Sequence, residues 1–208
     1  MSKAKYLLSI DASLPTPFIL LAKEGDVLEF RELDGRSSEQ IASVTGDMLQ
    51  NAHLTPSDLT DITAGVGPGS YTGVRAALSF AQALAYGLGI TPRGFCALAA
   101  LAPDREGTFA VAIDARSAGI WCAFANPKRG ILSPPEKIPK EKIAAWAQGP
   151  IWSLTPEKIA AKAPVEVRLS SLNPLFVSNL AFKSALPLTP NYLGQGVAPC
   201  QPPKPMLQ

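Results

Sequence analysis

The stretch Gly65-Val-Gly-Pro-Gly-Ser-Tyr-Thr-Gly-Val-Arg75 combines four glycines and a proline and runs directly into a long apolar pattern. Glycines take positive φ and allow another backbone or a ligand to come close. Ser70 or Thr72 can cap the helix that follows, whose first amides can then face an anion. The stretch has neither the Lys-Ser/Thr of a P-loop nor the G-x-G-x-x-G spacing. A phosphate cradle and a plain strand-to-helix turn both remain open from these residues.

The helix predicted after this loop covers Thr72 to Leu88, where apolar residues recur at the spacing of a core-facing helix. Gly73, Ala77 and Ala81 add a ridge of small residues along the same helix. Small side chains allow a second helix to pack at a short interaxial distance. The ridge therefore predicts either packing within its own domain or contact with a helix of another chain.

Composition limits the class of protein. The chain has 208 residues, of which 47% are hydrophobic and 17% charged, so it can form a core and is not globally disordered. Its net charge of +2 is too small to predict direct binding of nucleic acid by this chain alone.

The cysteines and the N-terminal segment bear on location. The three cysteines, Cys96, Cys122 and Cys200, are odd in number and widely spaced, which is typical of reduced thiols. The apolar run before Asp11 is too short for a secretory signal, and no later run approaches a membrane span. We therefore expect a cytoplasmic protein that does not associate with membranes.

A repeated order of elements indicates two lobes. An apolar strand ends in Ile-Asp-Ala at Ile10–Ala12 and again at Ile113–Ala115, and each is followed by a turn and a further strand. This repetition predicts a duplicated α/β architecture with lobes near residues 1–104 and 105–208. The Pro-containing tail from about residue 194 is expected to be flexible.

Four motifs occur in an order that resembles a known family: Ile-Asp-x-Ser at Ile10–Ser13, the glycine motif at Gly67–Arg75, Asp-Ala-Arg at Asp114–Arg116, and Pro-x-Tyr-Leu at Pro190–Leu193. The chain looks like a member of the TsaB (YeaZ) family of tRNA threonylcarbamoyladenosine biosynthesis proteins. The resemblance implies a two-lobed actin-like, Hsp70-like ATPase fold (ASKHA, RNase H-like) whose second lobe is small.

The resemblance also implies a role. Members of this family act as a non-catalytic partner and scaffold of TsaD, which transfers threonylcarbamoyl to A37 of tRNA. The implied partners are a TsaD-like subunit and a TsaE-like ATPase, with a homodimer when the chain is alone and only indirect contact with tRNA. No intrinsic cofactor is implied, and ATP or ADP with Mg²⁺ would sit at an interface of the complex.

Pairing in this family uses the N-terminal lobe helices, here 38–52 and 72–88. The resemblance therefore places the partner interface at Ile41, Val44, Met48, Gly73, Ala77 and Ala81.

Kinases and ATPases of this fold hold metal and phosphates with an acid and glycines in the first hairpin of each lobe, and Asp11 and Asp114 resemble those acids. The hairpin after Asp11 has no glycine that would let amides reach a phosphate. We therefore expect a vestigial site, with no catalytic residue and no metal. Its other candidate residues are Ser13, Gly67, Gly69, Ser70, Thr72, Arg75 and Arg116. The two arginines are equally compatible with salt bridges inside the chain.

Three alternative functions remain. A small ATPase or kinase of the same superfamily would need phosphate-binding glycines in the hairpin. An M22-like glycopeptidase would need a pair of metal-binding histidines, and the chain contains only His53. A homodimer with another role is equally compatible with the sequence.

Overall fold

The computed structural model describes residues 4–34, 37–101, 106–115, 119–126, 130–184 and 186–190. Its strands form two sheets, and helices pack on both faces of the first. The strands are β1 (Tyr6–Asp11), β2 (Phe18–Lys23), β3 (Asp26–Glu32), β4 (Asp61–Gly65), β5 (Arg93–Phe95), β6 (Phe109–Asp114), β7 (Ile120–Asn126), β8 (Gly130–Ile131), β9 (Glu136–Ile138), β10 (Ile151–Ser153), β11 (Val167–Leu169) and β12 (Leu186–Pro187). The α-helices are α1 (Ser37–Asn51), α2 (Tyr71–Leu88), α3 (Ile143–Ala147), α4 (Pro156–Ala160) and α5 (Pro174–Lys183), and short 3-10 turns occur at Pro56–Asp58, Ala97–Ala100 and Lys140–Lys142.

The two sheets repeat one topology. The first has the order β12-β5-β4-β1-β2-β3, and the second has β11-β10-β6-β7-β8 with β9 also paired to β7. In each sheet the strand that ends in Ile-Asp pairs antiparallel with the next strand and parallel with a later one. This confirms the duplicated α/β architecture predicted from the repeated motif, and it fits the two-lobed, actin-like fold that the resemblance implies. The division at residues 104 and 105 falls outside the described residues and stays a prediction.

The core of the first sheet forms beneath α1 and α2. β1 and β2 are buried on both faces, because their Leu and Ile side chains point alternately into two different apolar clusters. One cluster joins the sheet to α1 and α2, and the other joins its opposite face to the second sheet and to α5. The glycine loop follows β4, which is a fully packed strand, and leads into α2.

The chain returns from the second sheet to the first before the described part ends. α5 packs on β1, β2, β3 and β5, and β12 pairs antiparallel with β5. Residues 174–187 of the predicted second lobe thus lie on the first sheet, because Val177 and Ala181 complete the apolar cluster between the sheets.

Several predicted elements needed correction. The Ala/Leu pattern of Cys96–Ala102 predicts a short helix, and the structure has a 3-10 turn there at Ala97–Ala100. The pattern of Lys140–Ala147 predicts one helix, which the structure divides into a 3-10 turn and α3. The short strands β9 to β12 had no clear signal in the sequence. Within the described ranges, no helix is both long enough and apolar enough to cross a bilayer.

Candidate functional site

The first candidate acid lies at the end of β1 and is sealed by its own hairpin. Asp11 is 0% exposed. Its Oδ1 accepts hydrogen bonds from the amides of Ser13 and Leu14 at 2.8 and 2.9 Å, and the Ser13 hydroxyl donates to both carboxyl oxygens. Burial raises the pKa of Asp11 to about 6, although these hydrogen bonds act in the opposite direction. The carboxylate is therefore occupied by the chain itself and offers no open coordination position.

The glycine loop closes over the same hairpin. A Cβ at Gly65 would lie 1.7 Å from Asp11 Oδ2, and a Cβ at Gly69 would lie 2.2 Å from the carbonyl oxygen of Ser13. The amide of Ser70 donates to that carbonyl oxygen at 2.7 Å. These glycines are needed because the hairpin occupies the space beside them. We call this arrangement of Asp11–Leu14 against Gly65–Ser70 the hairpin–loop contact.

Ser70 caps α2 and is one of the two caps, Ser70 or Thr72, that the sequence predicts. Its hydroxyl accepts from the amide of Gly73 at 3.3 Å, and a Cβ at Gly73 would lie 1.7 Å from the carbonyl oxygen of Ala12. The first turn of α2 thus packs on the hairpin instead of facing an open cleft. The hairpin therefore occupies the space beside Gly69 and Gly73 at the start of the helix.

Two other candidates from the glycine motif point away from this contact. Thr72 is exposed. Arg75 is also exposed, where its guanidinium donates to the hydroxyl of Tyr71 at 3.0 Å and lies 5.3 Å from the centre of that ring. Gly67 takes part in the loop through its carbonyl oxygen, which accepts from the amide of Ala97 at 2.9 Å.

The second candidate acid is neutralised differently. Asp114 ends β6 and forms an ion pair with Lys162, which follows α4. In the same hairpin the carbonyl oxygen of Gly119 accepts from the amide of Ala115 at 3.1 Å, and a Cβ at Gly119 would lie 2.8 Å from the carbonyl oxygen of Ile138. Arg116, the remaining candidate, lies outside the described residues.

These residues do not fit a nucleotide with its metal. Both acids have partners within the chain, and the hairpin fills the space beside the glycine loop. Among the residues that the structure describes, no group of three or more His, Cys, Asp or Glu side chains is arranged to hold a metal ion. The vestigial site stays a prediction.

The predicted partner residues lie mainly in the chain's own core. Val44 is half-buried, and the other five are buried; the five are Ile41, Met48, Gly73, Ala77 and Ala81. The small ridge on α2 faces inward because it lets the helix lie close to the sheet and to the hairpin. The five buried residues offer no surface to a partner, so the surface that we propose below lies on the opposite side of the helices.

That opposite side was missed by sequence reasoning. Apart from Asp47, the exposed positions at the middle of α1 and along the second half of α2 carry small or uncharged side chains. We call them the outer helical face, and they are Ala42, Ser43, Gly46, Ser79, Gln82, Ala83, Tyr86 and Gly87. The signal that could have found them was glycine at helical positions outside the apolar stripe. Lys162 was also missed, because pairing it with Asp114 requires the position of α4.

The chain is similar to known proteins both in sequence and in structure. A family model described as TsaD, tRNA N6-adenosine threonylcarbamoyltransferase, matches residues 32–128. A protein named tRNA threonylcarbamoyladenosine biosynthesis protein TsaB from Bacillus subtilis is 29% identical over 68% of this chain and 64% of its own length. The TsaB of Escherichia coli is 30% identical over 60% of this chain and 57% of its own length. The chain thus spans less than two thirds of the length of these curated relatives.

One solved structure extends the likeness to nearly the whole fold. YeaZ from Pseudomonas aeruginosa superimposes with a TM-score of 0.72 over 91% of this chain and 100% of its own, at 24% identity. That identity supports a common fold and no finer statement.

Proposed function

We propose that the chain is a member of the TsaB/YeaZ family, which it resembles in sequence and fold, and that it supports threonylcarbamoyladenosine modification of tRNA as a non-catalytic partner of a TsaD-like subunit. In this proposal the chain acts as a scaffold, the partner carries out threonylcarbamoyl transfer to A37, and a TsaE-like ATPase joins them. ATP or ADP with Mg²⁺ would bind at an interface of that complex.

Two glycines of the outer helical face carry the proposal. Gly46 and Gly87 are exposed, and a Cβ at either position would meet no atom within 4 Å. Glycine inside a helix destabilises it by about 1 kcal/mol relative to alanine. Nothing in the described chain uses the space that these glycines leave, whereas a partner helix packed at short distance would use it.

The chemistry of the outer helical face supports a protein partner. Tyr86 is 91% exposed, and the neighbouring exposed positions include Ala42, Ala83 and Ser79. Tyrosine is enriched at protein interfaces, while charged residues are depleted from their centres. A helical face that includes one exposed acidic residue, Asp47, and no exposed basic residue at the middle of α1 or along the second half of α2 fits another helical layer better than it fits nucleic acid.

The match to the TsaD family model supports a particular partner. The matched residues, 32–128, include both α1 and α2. Two related chains that carry equivalent helices can pair them about a pseudo-twofold axis, as identical chains do about a true one. We therefore expect the same face to bind the TsaD-like subunit and, in its absence, a second copy of this chain.

Co-purification with the TsaD-like subunit of the same organism tests this proposal. Ala83→Arg places a long charged side chain on the outer helical face, and we expect it to abolish the complex. Ala144→Arg is the matched control, because Ala144 is an exposed alanine on α3, a helix that packs on the second sheet. Ala77→Arg would not be informative, because Ala77 is 0% exposed and the change would disturb the core.

Each result has a defined meaning. Loss of the complex with Ala83→Arg alone supports both the role and the surface. Retention of the complex by both variants would show that the interface lies on another surface. Failure of the wild-type chain to bind the TsaD-like subunit would overturn the proposed function.

A further inference from the structure

Two hydroxyl groups lie side by side inside the first sheet. Ser9 on β1 and Thr63 on β4 are register partners in the parallel pair of these strands, and both residues are 0% exposed. Their neighbours along each strand belong to the cluster beneath α1 and α2. Because side chains alternate along a strand, both hydroxyls lie on the opposite face, where Leu7 packs in the cluster shared with the second sheet and α5.

The residues beside this pair close it off from solvent. Leu20, the register partner of Ser9 on β2, is 0% exposed. Arg93, the register partner of Thr63 on β5, forms an ion pair with Asp61. Neither Oγ of Ser9 nor Oγ1 of Thr63 has a hydrogen-bond partner among the described residues. The two hydroxyls are therefore withdrawn from bulk water, and no described protein group replaces it.

The energetics of burial call for a partner at these hydroxyls. A hydroxyl that loses its bonds to water on burial, with no compensating bond, raises the free energy of the folded state. Buried polar groups in folded proteins are accordingly bonded either to a protein group or to an ordered internal water. The second kind of partner fits a pair of hydroxyls that protein groups do not serve.

The spacing of the strands suits a single bridging water. Adjacent strands lie about 4.8 Å apart, and the side chains of register partners leave the sheet on the same face. Hydroxyl oxygens at about that separation are too far apart for a direct hydrogen bond of about 2.8 Å. A water bonded to both oxygens at about 2.8 Å spans about 4.5 Å. A water can also donate to, or accept from, either hydroxyl.

We propose that Ser9 and Thr63 form the binding site of one internal water molecule, which bridges Ser9 Oγ and Thr63 Oγ1 and links β1 to β4 on their buried face. The site lies two residues before Asp11 and Gly65 on the same strands, so the bridge holds together the strand ends that carry the hairpin–loop contact. The proposal does not depend on the function proposed above, because it rests on contacts within the chain.

A crystal structure of the full wild-type chain, at a resolution that shows ordered water, tests the site directly. We expect a density peak within hydrogen-bond distance, about 2.7–3.0 Å, of both hydroxyl oxygens.

Urea denaturation of variants tests the bridge by the sign and the additivity of its effects. Thr63→Val keeps the shape of the side chain and removes one ligand of the water, so we expect the folding equilibrium constant to fall about fivefold. Ser9→Ala should act similarly. Because both changes break the same bridge, the double variant should lose about as much as either single variant, and not the roughly 25-fold product of independent effects.

Thr45→Val is the matched control. Thr45 Oγ1 is also buried without a partner among the described residues, but it lies on α1, on the other side of the sheet. Its effect should therefore add to that of Ser9→Ala without coupling.

The proposal fails if the wild-type density shows no peak between the two hydroxyls. It also fails if Thr63→Val leaves the folding equilibrium constant unchanged or raises it, because a dry, unpartnered hydroxyl is the group whose removal does so. The wild-type density decides the question alone if the variants do not fold.

Discussion

The two sheets share one strand order but protect their equivalent acids by different means. In the first sheet, Asp11 is buried and accepts hydrogen bonds from the backbone of its own hairpin. In the second, Asp114 keeps 17% of its side chain exposed and pairs with Lys162. The two carboxylates are thus engaged inside the chain in two ways, by a closed hairpin at Asp11 and by a counter-charge at Asp114.

The helices differ as well. α1 and α2 have 15 and 18 residues and cover one face of the first sheet, whereas α3 and α4 have five residues each. Only the longer pair presents a broad outward surface in the part of the chain that the structure describes. Under the proposed function, the first half supplies the partner surface and the second half completes the core.

The largest predicted effect would break the hairpin–loop contact. Gly65→Ala places a Cβ 1.7 Å from Asp11 Oδ2, and neither the buried carboxylate nor the strand can move aside. We expect a loss of about 3 kcal/mol or more of unfolding free energy, measured by urea denaturation.

Substitutions at two other glycines provide unfolding free energies with which to compare that of Gly65→Ala. Gly119→Ala, in the equivalent region of the second half, meets a carbonyl oxygen at 2.8 Å and requires alanine at φ 117°, so we expect a loss of about 2 kcal/mol. Gly46→Ala meets nothing and should stabilise α1 by about 0.5–1 kcal/mol. Equal effects at Gly65 and Gly46 would mean that the hairpin does not fill the loop as described.

The next prediction distinguishes Asp11 from Asp114 by how the unfolding free energy depends on pH. The pKa of Asp11 is raised from 3.8 to about 6 in the folded protein, so folding favours its protonated form. The stabilising contribution of that proton is complete below pH 3.8 and is lost as the pH rises through 6. At pH 8 the charged carboxylate therefore lowers the unfolding free energy by about 3 kcal/mol relative to a neutral group.

Asp11→Asn keeps an acceptor oxygen for the amides of Ser13 and Leu14 and removes the buried charge. We expect the variant to be about 1–3 kcal/mol more stable than wild type at pH 8, with the difference shrinking toward pH 4. Thermal unfolding at several pH values measures it. A difference that does not change between pH 4 and pH 8 would contradict the buried, charged state of Asp11.

A smaller effect is expected in the second half. Asp114→Asn removes a partly exposed ion pair with Lys162, and such pairs contribute about 1 kcal/mol or less. Denaturation at low and high salt should give a small loss that shrinks as salt screens the pair. A loss larger than that of Gly119→Ala would reverse the assignment of Asp114 to a minor structural role.

No effect is expected on ATP turnover. With both acids occupied inside the chain, the purified protein with ATP and Mg²⁺ should release no phosphate above background, and Asp11→Ala with Asp114→Ala should leave that background unchanged. Turnover that the double variant abolishes would favour the ATPase alternative.

The sequence predicts the architecture well because its evidence is local. The repeated Ile-Asp-Ala and the apolar stripe of Thr72–Leu88 each depend on neighbours in the chain, and the structure contains both features. Ser70 as the cap of α2 follows from the same local logic.

The surfaces were harder to predict because they depend on what lies across a helix. The ridge of Gly73, Ala77 and Ala81 is suited to close packing, but its periodicity does not say whether the neighbour belongs to the same chain. The hairpin and the sheet use that ridge, and Gly46 and Gly87 remain exposed on the opposite side. The pairing of Lys162 with Asp114 depends on a five-residue helix whose direction no motif specifies.

Complementation is the most direct test of the central claim. In a strain of the source organism that lacks this gene, the N6-threonylcarbamoyladenosine content of bulk tRNA would be measured after expressing wild type, Ala83→Arg or Ala144→Arg. We predict that wild type and Ala144→Arg restore the modification and that Ala83→Arg, present at equal abundance, does not. Unchanged tRNA modification in the deletion strain would contradict the proposed role, and restoration by Ala83→Arg would contradict the surface.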